Sequence, residues 1–130
     1  MKIPSDLKYT STDEWVKVEG DVAIMGVSDF AQDQLSDVVF VEITLGVGDQ
    51  AKKNTTCVTL ESVKAAADVN CAVTGEVVEV NEDLPQSPEL VNTDPYGAAW
   101  MLKIKLANPA ELDSLMDAVA YEKYCQERSH

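Results

Sequence analysis

Lys64 stands among residue types that suit covalent modification of its amine. Three small residues follow it, Ala65-Ala66-Ala67, and the segment lies between two β-rich runs. Small neighbours in a turn leave a lysine side chain accessible to a modifying enzyme. Because an ammonium is unreactive until it loses a proton, such a site suits an enzyme that supplies the activation itself. On composition alone, a solvated surface lysine is the commoner interpretation.

Other residue types that carry chemistry are scarce. The three cysteines, Cys57, Cys71 and Cys125, are odd in number and lack a C-x-x-C spacing, which predicts small buried thiols in a reducing compartment. The single histidine is the last residue, His130, so a histidine dyad or metal site is not expected. No nucleophile elbow or phosphate-binding glycine loop is present. We therefore expect no metal site, and the residues offer no recognisable catalytic motif.

The charge balance restricts the partners. Ten Lys and Arg oppose 23 Asp and Glu, giving a formal net charge of −13. Such a surface repels nucleic acid and anionic lipid and favours basic protein surfaces. No apolar run approaches the roughly 18 residues of a membrane span, and the N-terminus has no signal-peptide core. We expect an intracellular monomer, cytoplasmic if bacterial and in the mitochondrial matrix if eukaryotic.

The elements that must position Lys64 are mainly strands. Short runs of β-branched residues recur with turns about every ten residues, which predicts one mainly β domain over residues 1–130. Val16 and Val18 alternate with charged residues in a first hairpin, and Val38–Ile43 has the composition of a well-buried strand. Asn54 suits a left-handed corner.

Helices are predicted in two places. Ser28 is a candidate N-cap for a short helix in the N-terminal half. Asn108, Pro109 and Glu111 form a capping-box-like start to a longer one. The apolar face of that helix repeats at i, i+3, i+4 and i+7, in Leu112, Leu115, Met116 and Val119. A second short C-terminal helix is expected around Tyr121, Tyr124 and Cys125.

The segment Glu61-Ser62-Val63-Lys64-Ala65 carries a family resemblance. It is preceded by Val47-Gly48-Asp49 and followed by Val73-Thr74-Gly75-Glu76-Val77. In these runs the chain resembles the lipoyl and biotinyl carriers. Further runs narrow the resemblance to the H-proteins of the glycine cleavage system: Leu7-Lys8-Tyr9, Asp13-Glu14-Trp15-Val16, Gly26-Val27-Ser28-Asp29-Phe30-Ala31-Gln32, Val38-Val39-Phe40-Val41-Glu42, Gly75-Glu76-Val77-Val78-Glu79-Val80-Asn81, Ser87-Pro88-Glu89-Leu90-Val91-Asn92 and Asp94-Pro95-Tyr96-Gly97. The resemblance covers about residues 7–125.

This resemblance implies a fold and a function, and the function is that of a carrier without catalytic residues, which is not an enzyme. The fold would be a barrel-sandwich hybrid, a flattened lipoyl-domain-like barrel with Lys64 at a hairpin tip. Lys64 would carry lipoic acid in amide linkage, attached by a lipoate ligase or lipoyl transferase. The arm would take an aminomethyl group from the glycine decarboxylase (P protein) to the tetrahydrofolate-dependent aminomethyltransferase (T protein). Dihydrolipoamide dehydrogenase (L protein) would then reoxidise the arm by thiol–disulfide exchange.

The resemblance also points to a cleft for the loaded arm. It places Thr12, Glu14, Gln34 and Asp68 beside the arm, although solvated surface positions are the ordinary interpretation of acidic residues. The chain departs from the family at Asp13, where a histidine is usual, and at Ser36, Thr44 and Ala99. The Asp13 change is expected to add negative charge near Glu14.

Three alternatives stay open. One is a lipoyl domain of a 2-oxoacid dehydrogenase or a biotin carrier, although biotin carriers have Met-Lys-Met where this chain has Val63-Lys64-Ala65. Another is an H-protein-like carrier that serves lipoyl transfer or ADP-ribosylation machinery on other proteins. The third is a redox enzyme using Cys57 or Cys71, which would need an electropositive setting.

Overall fold

The computed structural model describes residues 1–128, so His130 lies outside the described residues. Two antiparallel sheets make up most of it. The six-stranded sheet has the order β1-β2-β3-β9-β8-β5, and the three-stranded sheet has the order β4-β6-β7. The strands are β1 (Lys8–Tyr9), β2 (Glu14–Glu19), β3 (Val22–Val27), β4 (Val38–Ile43), β5 (Gln50–Ala51), β6 (Thr56–Ser62), β7 (Ala66–Asn70), β8 (Gly75–Val80) and β9 (Leu102–Leu106).

The main core lies between the two sheets. Buried residues of both sheets join one apolar cluster, among them Met25 and Ile104 from the larger sheet and Val41 and Leu60 from the smaller. At Gly75, where β8 begins, a Cβ would collide with the carbonyl oxygen of Lys105 on β9. Glycine is therefore needed where these two strands approach each other most closely. The predicted Asn54 corner is confirmed, with φ at 71°.

The first helix is as predicted. Helix α1 (Asp29–Leu35) begins after Ser28, whose hydroxyl accepts a hydrogen bond from the Ala31 N–H at 3.2 Å. Phe30 and Leu35 are buried under it. A short helix, α2 (Leu90–Thr93), and a 3₁₀ turn at Leu84–Gln86 lie in the connection before β9.

The prediction of a long helix from Asn108 onward is wrong. Residues Pro109–Ser114 form a 3₁₀ helix, and the Asn108 side chain makes no capping hydrogen bond. Glu111 does not complete a capping box. Its carboxylate accepts hydrogen bonds from the Thr74 N–H at 2.8 Å and from the Thr74 hydroxyl at 2.9 Å.

A strand-like contact stops the helix. Met116 forms an antiparallel bridge with Tyr9, with both N–H···O distances at 2.8 Å. These two backbone bonds require an extended chain, and Leu115 has the extended φ and ψ of −83° and 153°. Helix α3 (Ala118–Arg128) starts only afterwards and carries the predicted Tyr121 and Cys125 on its buried side. Val119 is exposed, contrary to the predicted apolar face.

The prediction of a well-buried β4 is wrong for two of its residues. Val38 and Val41 are buried, but Val39 and Phe40 face solvent. The cause is a bulge, because the register passes from Val38↔Ser62 directly to Phe40↔Glu61. One extra residue in the strand puts two consecutive side chains on the outside.

Candidate functional site

Lys64 lies in the turn that joins β6 to β7. The turn is closed by the Ser62 N–H, which donates to the Ala65 carbonyl at 2.7 Å. The Ser62 hydroxyl accepts from the Lys64 and Ala65 N–H groups at 3.3 and 3.0 Å. This turn is tighter than the alanine run suggests, because Ala66 and Ala67 belong to β7. A fixed turn therefore holds an exposed lysine.

The Lys64 side chain is free of ion pairs within the described part of the chain. The salt bridges there join Lys17 to Glu19, Lys103 to Glu79 and Arg128 to Asp13. A lysine without a carboxylate partner loses no ion pair when an amide replaces its charge. The site is thus suited to acylation.

A cavity of about 200 Å³ lies at the β7 side of the hairpin. All four predicted cleft residues line it: Thr12, Glu14, Gln34 and Asp68. Its apolar wall comes from both sheets and from α1: Val27, Ala31, Leu35, Leu60, Ala67 and Val69. Lys64 itself is not a lining residue. Asp68 lies on β7, four residues beyond Lys64 in the sequence.

Glu14 is the least expected member of the site. Its side chain is 1% exposed, although acidic residues are ordinarily solvated. One carboxylate oxygen accepts hydrogen bonds from the Thr10 hydroxyl at 2.6 Å and the Thr12 hydroxyl at 2.5 Å. The other oxygen accepts from the Asn70 N–H at 3.3 Å. Burial raises the pKa of Glu14, and these hydrogen bonds only partly oppose that effect.

The charge of Glu14 has no cation beside it among residues 1–128. A buried carboxylate that is hydrogen-bonded but unpaired is a ready site for an incoming ammonium group. Thr10 was not predicted as a site residue. A sequence pattern could have indicated it. Two hydroxyl side chains and a carboxylate follow one another at intervals of two residues, in Thr10, Thr12 and Glu14.

Asp13 adds negative charge near Glu14, as expected, because it lines the cavity and, in addition to burial, its charge raises the pKa of the Glu14 carboxyl. Its carboxylate accepts from both Arg128 terminal nitrogens, at 2.5 and 3.2 Å, and from the Tyr121 hydroxyl at 2.8 Å. The hydrogen bond to Asp13 raises the pKa of the Arg128 guanidinium, because it favours the charged form. Asp13 also has a φ of 76°, and its contacts with Tyr121 and Arg128 connect α3 to this strained position between Thr12 and the start of β2.

The cysteines do not form an accessible site. Cys57, Cys71 and Cys125 are free and buried. The hydrogen bond between Cys57 and Cys71 raises the pKa of the Cys57 thiol and lowers the pKa of the Cys71 thiol. A reactive cysteine needs a thiol that is both acidified and exposed, and the acidified Cys71 is buried. Within the described residues, no cluster of three or more His, Cys, Asp or Glu side chains is arranged for a metal ion. None of the helices there is long and apolar enough to cross a bilayer.

Comparison with known proteins gives a consistent result. The family model described as Glycine cleavage H-protein matches residues 7–128. The glycine cleavage system H protein of Symbiobacterium thermophilum is 53% identical over 125 residues, covering 96% of this chain and 97% of that protein. The mitochondrial one of Flaveria pringlei is 50% identical over 121 residues, covering 93% and 74%.

A solved structure agrees with the fold. The crystal structure of a glycine cleavage system H protein from Mycobacterium marinum superposes with a TM-score of 0.83 at 29% identity, covering 98% of this chain and all of that one. The fold and the lysine hairpin define a lipoyl-domain-like carrier domain of the barrel-sandwich type. The chain belongs to the glycine cleavage H-protein family, a family of lipoyl carriers.

Proposed function

We propose that Lys64 carries lipoic acid and that the protein shuttles an aminomethyl group from the glycine decarboxylase to the aminomethyltransferase. Dihydrolipoamide dehydrogenase then receives the dihydrolipoyl form. The observation that supports the proposal most is the exposed, unpaired Lys64 in the fixed turn of a hairpin whose strands line a cavity with an unpaired buried carboxylate. We further propose that residues 1–130 act as one carrier domain without catalytic residues of its own.

Attachment of the arm needs only an accessible amine from this chain. The neutral Nζ of Lys64 attacks the carbonyl carbon of an activated lipoyl donor held by a lipoate ligase or lipoyl transferase. The C–N bond forms, the bond to the leaving group breaks, and one proton leaves the nitrogen. The Ser62 hydrogen bonds hold the turn during this step, so the backbone that carries Lys64 is fixed while its side chain stays accessible.

The cavity fits the arm in its chemistry. When attached, the lipoyl group supplies a dithiolane that alternates between disulfide and dithiol and holds the transferred carbon on sulfur. Apolar residues such as Leu35, Leu60 and Val69 would pack against its hydrocarbon part. Glu14, Thr12 and Asp68 would accept hydrogen bonds from a terminal ammonium, and Gln34 lies at the same cavity.

Reconstitution with purified glycine decarboxylase tests the function. The lipoylated protein should support exchange of labelled carbon dioxide into glycine, and the unmodified protein should support little. An H-protein-like carrier that only relays lipoyl groups to other proteins would be inactive in this exchange and active with lipoyl transferases. That result would favour the relay alternative over the shuttle.

Association with the decarboxylase should depend on salt. The net charge of −13 attracts a basic partner surface, and ions screen that attraction over a Debye length of about 8–10 Å. The apparent Michaelis constant for this carrier should therefore rise several-fold between low and physiological ionic strength. A constant that stays flat over that range would mean that apolar contacts control the encounter.

A further inference from the structure

Three exposed apolar side chains lie around the Lys64 hairpin. Val39, Phe40 and Val63, here called the hairpin patch, are 56%, 44% and 68% exposed. Val63 immediately precedes Lys64, and its N–H donates to the Asp37 carbonyl at 3.0 Å, which fixes it beside the start of β4. None of the three lines the cavity.

The patch is produced by a specific feature of the fold. The β4 bulge places Val39 and Phe40 outward together, where regular alternation would bury one of them. Phe40 is paired across the strands with Glu61, three residues before Lys64. Because the sheet order is β4-β6-β7, the patch lies on one side of the hairpin and Asp68 of the cavity lies on the other.

The surroundings of the patch are acidic. Asp37, Glu42 and Glu61 are exposed next to it, and Lys64 is the nearest cation in the sequence segments that form it. An apolar centre with a charged rim is the composition of a protein docking surface. Its complement is an apolar groove bordered by lysine or arginine.

We propose that the hairpin patch is the surface by which the enzyme that acylates Lys64 holds this protein, with an apolar groove and a basic rim on that enzyme. This inference rests on the proposed function of Lys64. Before the arm exists, the amine itself must enter the acylating site, so the enzyme must contact the residues next to it. The enzymes that act afterwards react with the far end of the arm, so their chemistry does not require contact with the residues next to Lys64.

The test compares two pairs of exposed side chains. Unmodified protein with Val39→Thr and Phe40→Thr is lipoylated by purified lipoate ligase with lipoate and ATP, and mass spectrometry gives the initial rate. The matched control carries Val18→Thr and Val78→Thr, two exposed strand valines on the other sheet. We expect kcat/KM to fall about tenfold in the patch variant, through KM, and to change less than twofold in the control.

Further variants keep the result unambiguous. Val63→Thr, in an exposed turn outside the core, should lower kcat/KM without changing the urea midpoint, and Phe40→Leu should retain the rate. Equal rates for patch and control variants would overturn the inference. So would a loss confined to exchange with glycine decarboxylase, which would assign the patch to that enzyme. Lipoylation that persists in Lys64→Arg would instead refute the proposed function.

Discussion

Incubation with lipoate, ATP and a lipoate ligase should add one lipoyl-sized mass to the protein, and Lys64→Arg should abolish that addition completely. Arginine keeps the charge and most of the length of the side chain. Its guanidinium stays protonated at any pH that proteins tolerate, so it offers no nucleophilic lone pair. The fold should be unaffected because Lys64 is exposed and without an ion pair within residues 1–128.

Two other lysines provide controls for this experiment. Lys52→Arg changes an exposed lysine in another turn, and Lys103→Arg changes a half-buried one in β9. Both should be modified at the wild-type rate. Mass addition that persists in Lys64→Arg and disappears in one of the controls would place the arm elsewhere and remove the basis of the proposed function.

The β-hairpins could be predicted from sequence because their determinants are local. The alternation of Val16 and Val18 with charged residues and the Gly20 turn fix β2 and β3 without help from the rest of the chain. The helix from Asn108 could not be excluded in that way. Its capping signals were real, but the backbone of Met116 is paired with Tyr9, more than a hundred residues earlier. Long-range pairing overrode local propensity.

Long-range contacts also limit what the sequence predicts about the site. The exposure of Lys64 followed from small neighbours in a turn. The burial of Glu14 did not, because it depends on Asn70 from β7, and the pairing of Asp13 depends on Arg128 at the end of α3. The β4 bulge could not be predicted either, because the apolar run of β4 does not mark where an extra residue is inserted. The resemblance, and no local pattern, places residues 12, 14, 34 and 68 at one cleft, and in the fold all four line one cavity.

In the unloaded protein, burial destabilises the ionised form of Glu14. Its ionised form is buried and has no cation beside it in the described residues, so ionisation costs folding free energy. A pKa that is raised in the folded state means that the folded protein binds the proton more tightly. The stabilising contribution is present below the pKa of the unfolded chain and is lost as pH rises through the folded value. An ammonium in the cavity would remove this cost.

A loaded arm would gain lifetime from the same contact. An aminomethyl group on sulfur decays when the nitrogen lone pair expels the thiol and water enters, giving formaldehyde and ammonia. A protonated nitrogen has no lone pair for this step. A nearby carboxylate raises the pKa of the amine, most strongly where water is excluded. Glu14 and Asp68 are the cavity carboxylates without a salt-bridge partner in residues 1–128, whereas Asp13, which also lines the cavity, is paired with Arg128. Thr12 adds a hydroxyl.

Glu14→Gln should therefore have opposite effects on the unloaded and the loaded protein. The amide can donate to the Thr10 and Thr12 hydroxyls and accept from the Asn70 N–H, so the cavity keeps its shape. We expect the unloaded variant to unfold at the same or a higher urea concentration than wild type, with a gain in unfolding free energy of up to about 1 kcal/mol that grows with pH.

The loaded variant should be lipoylated normally but should decay faster. Spontaneous ammonia release from purified, loaded protein without transferase should be about tenfold faster, since roughly 1.4 kcal/mol of charge-assisted bonding is lost. Asp68→Asn, at an exposed position, should accelerate release by a smaller factor, and Glu42→Gln, outside the cavity, should not change it. Wild-type decay rates in both cavity variants would return these carboxylates to ordinary surface or structural roles.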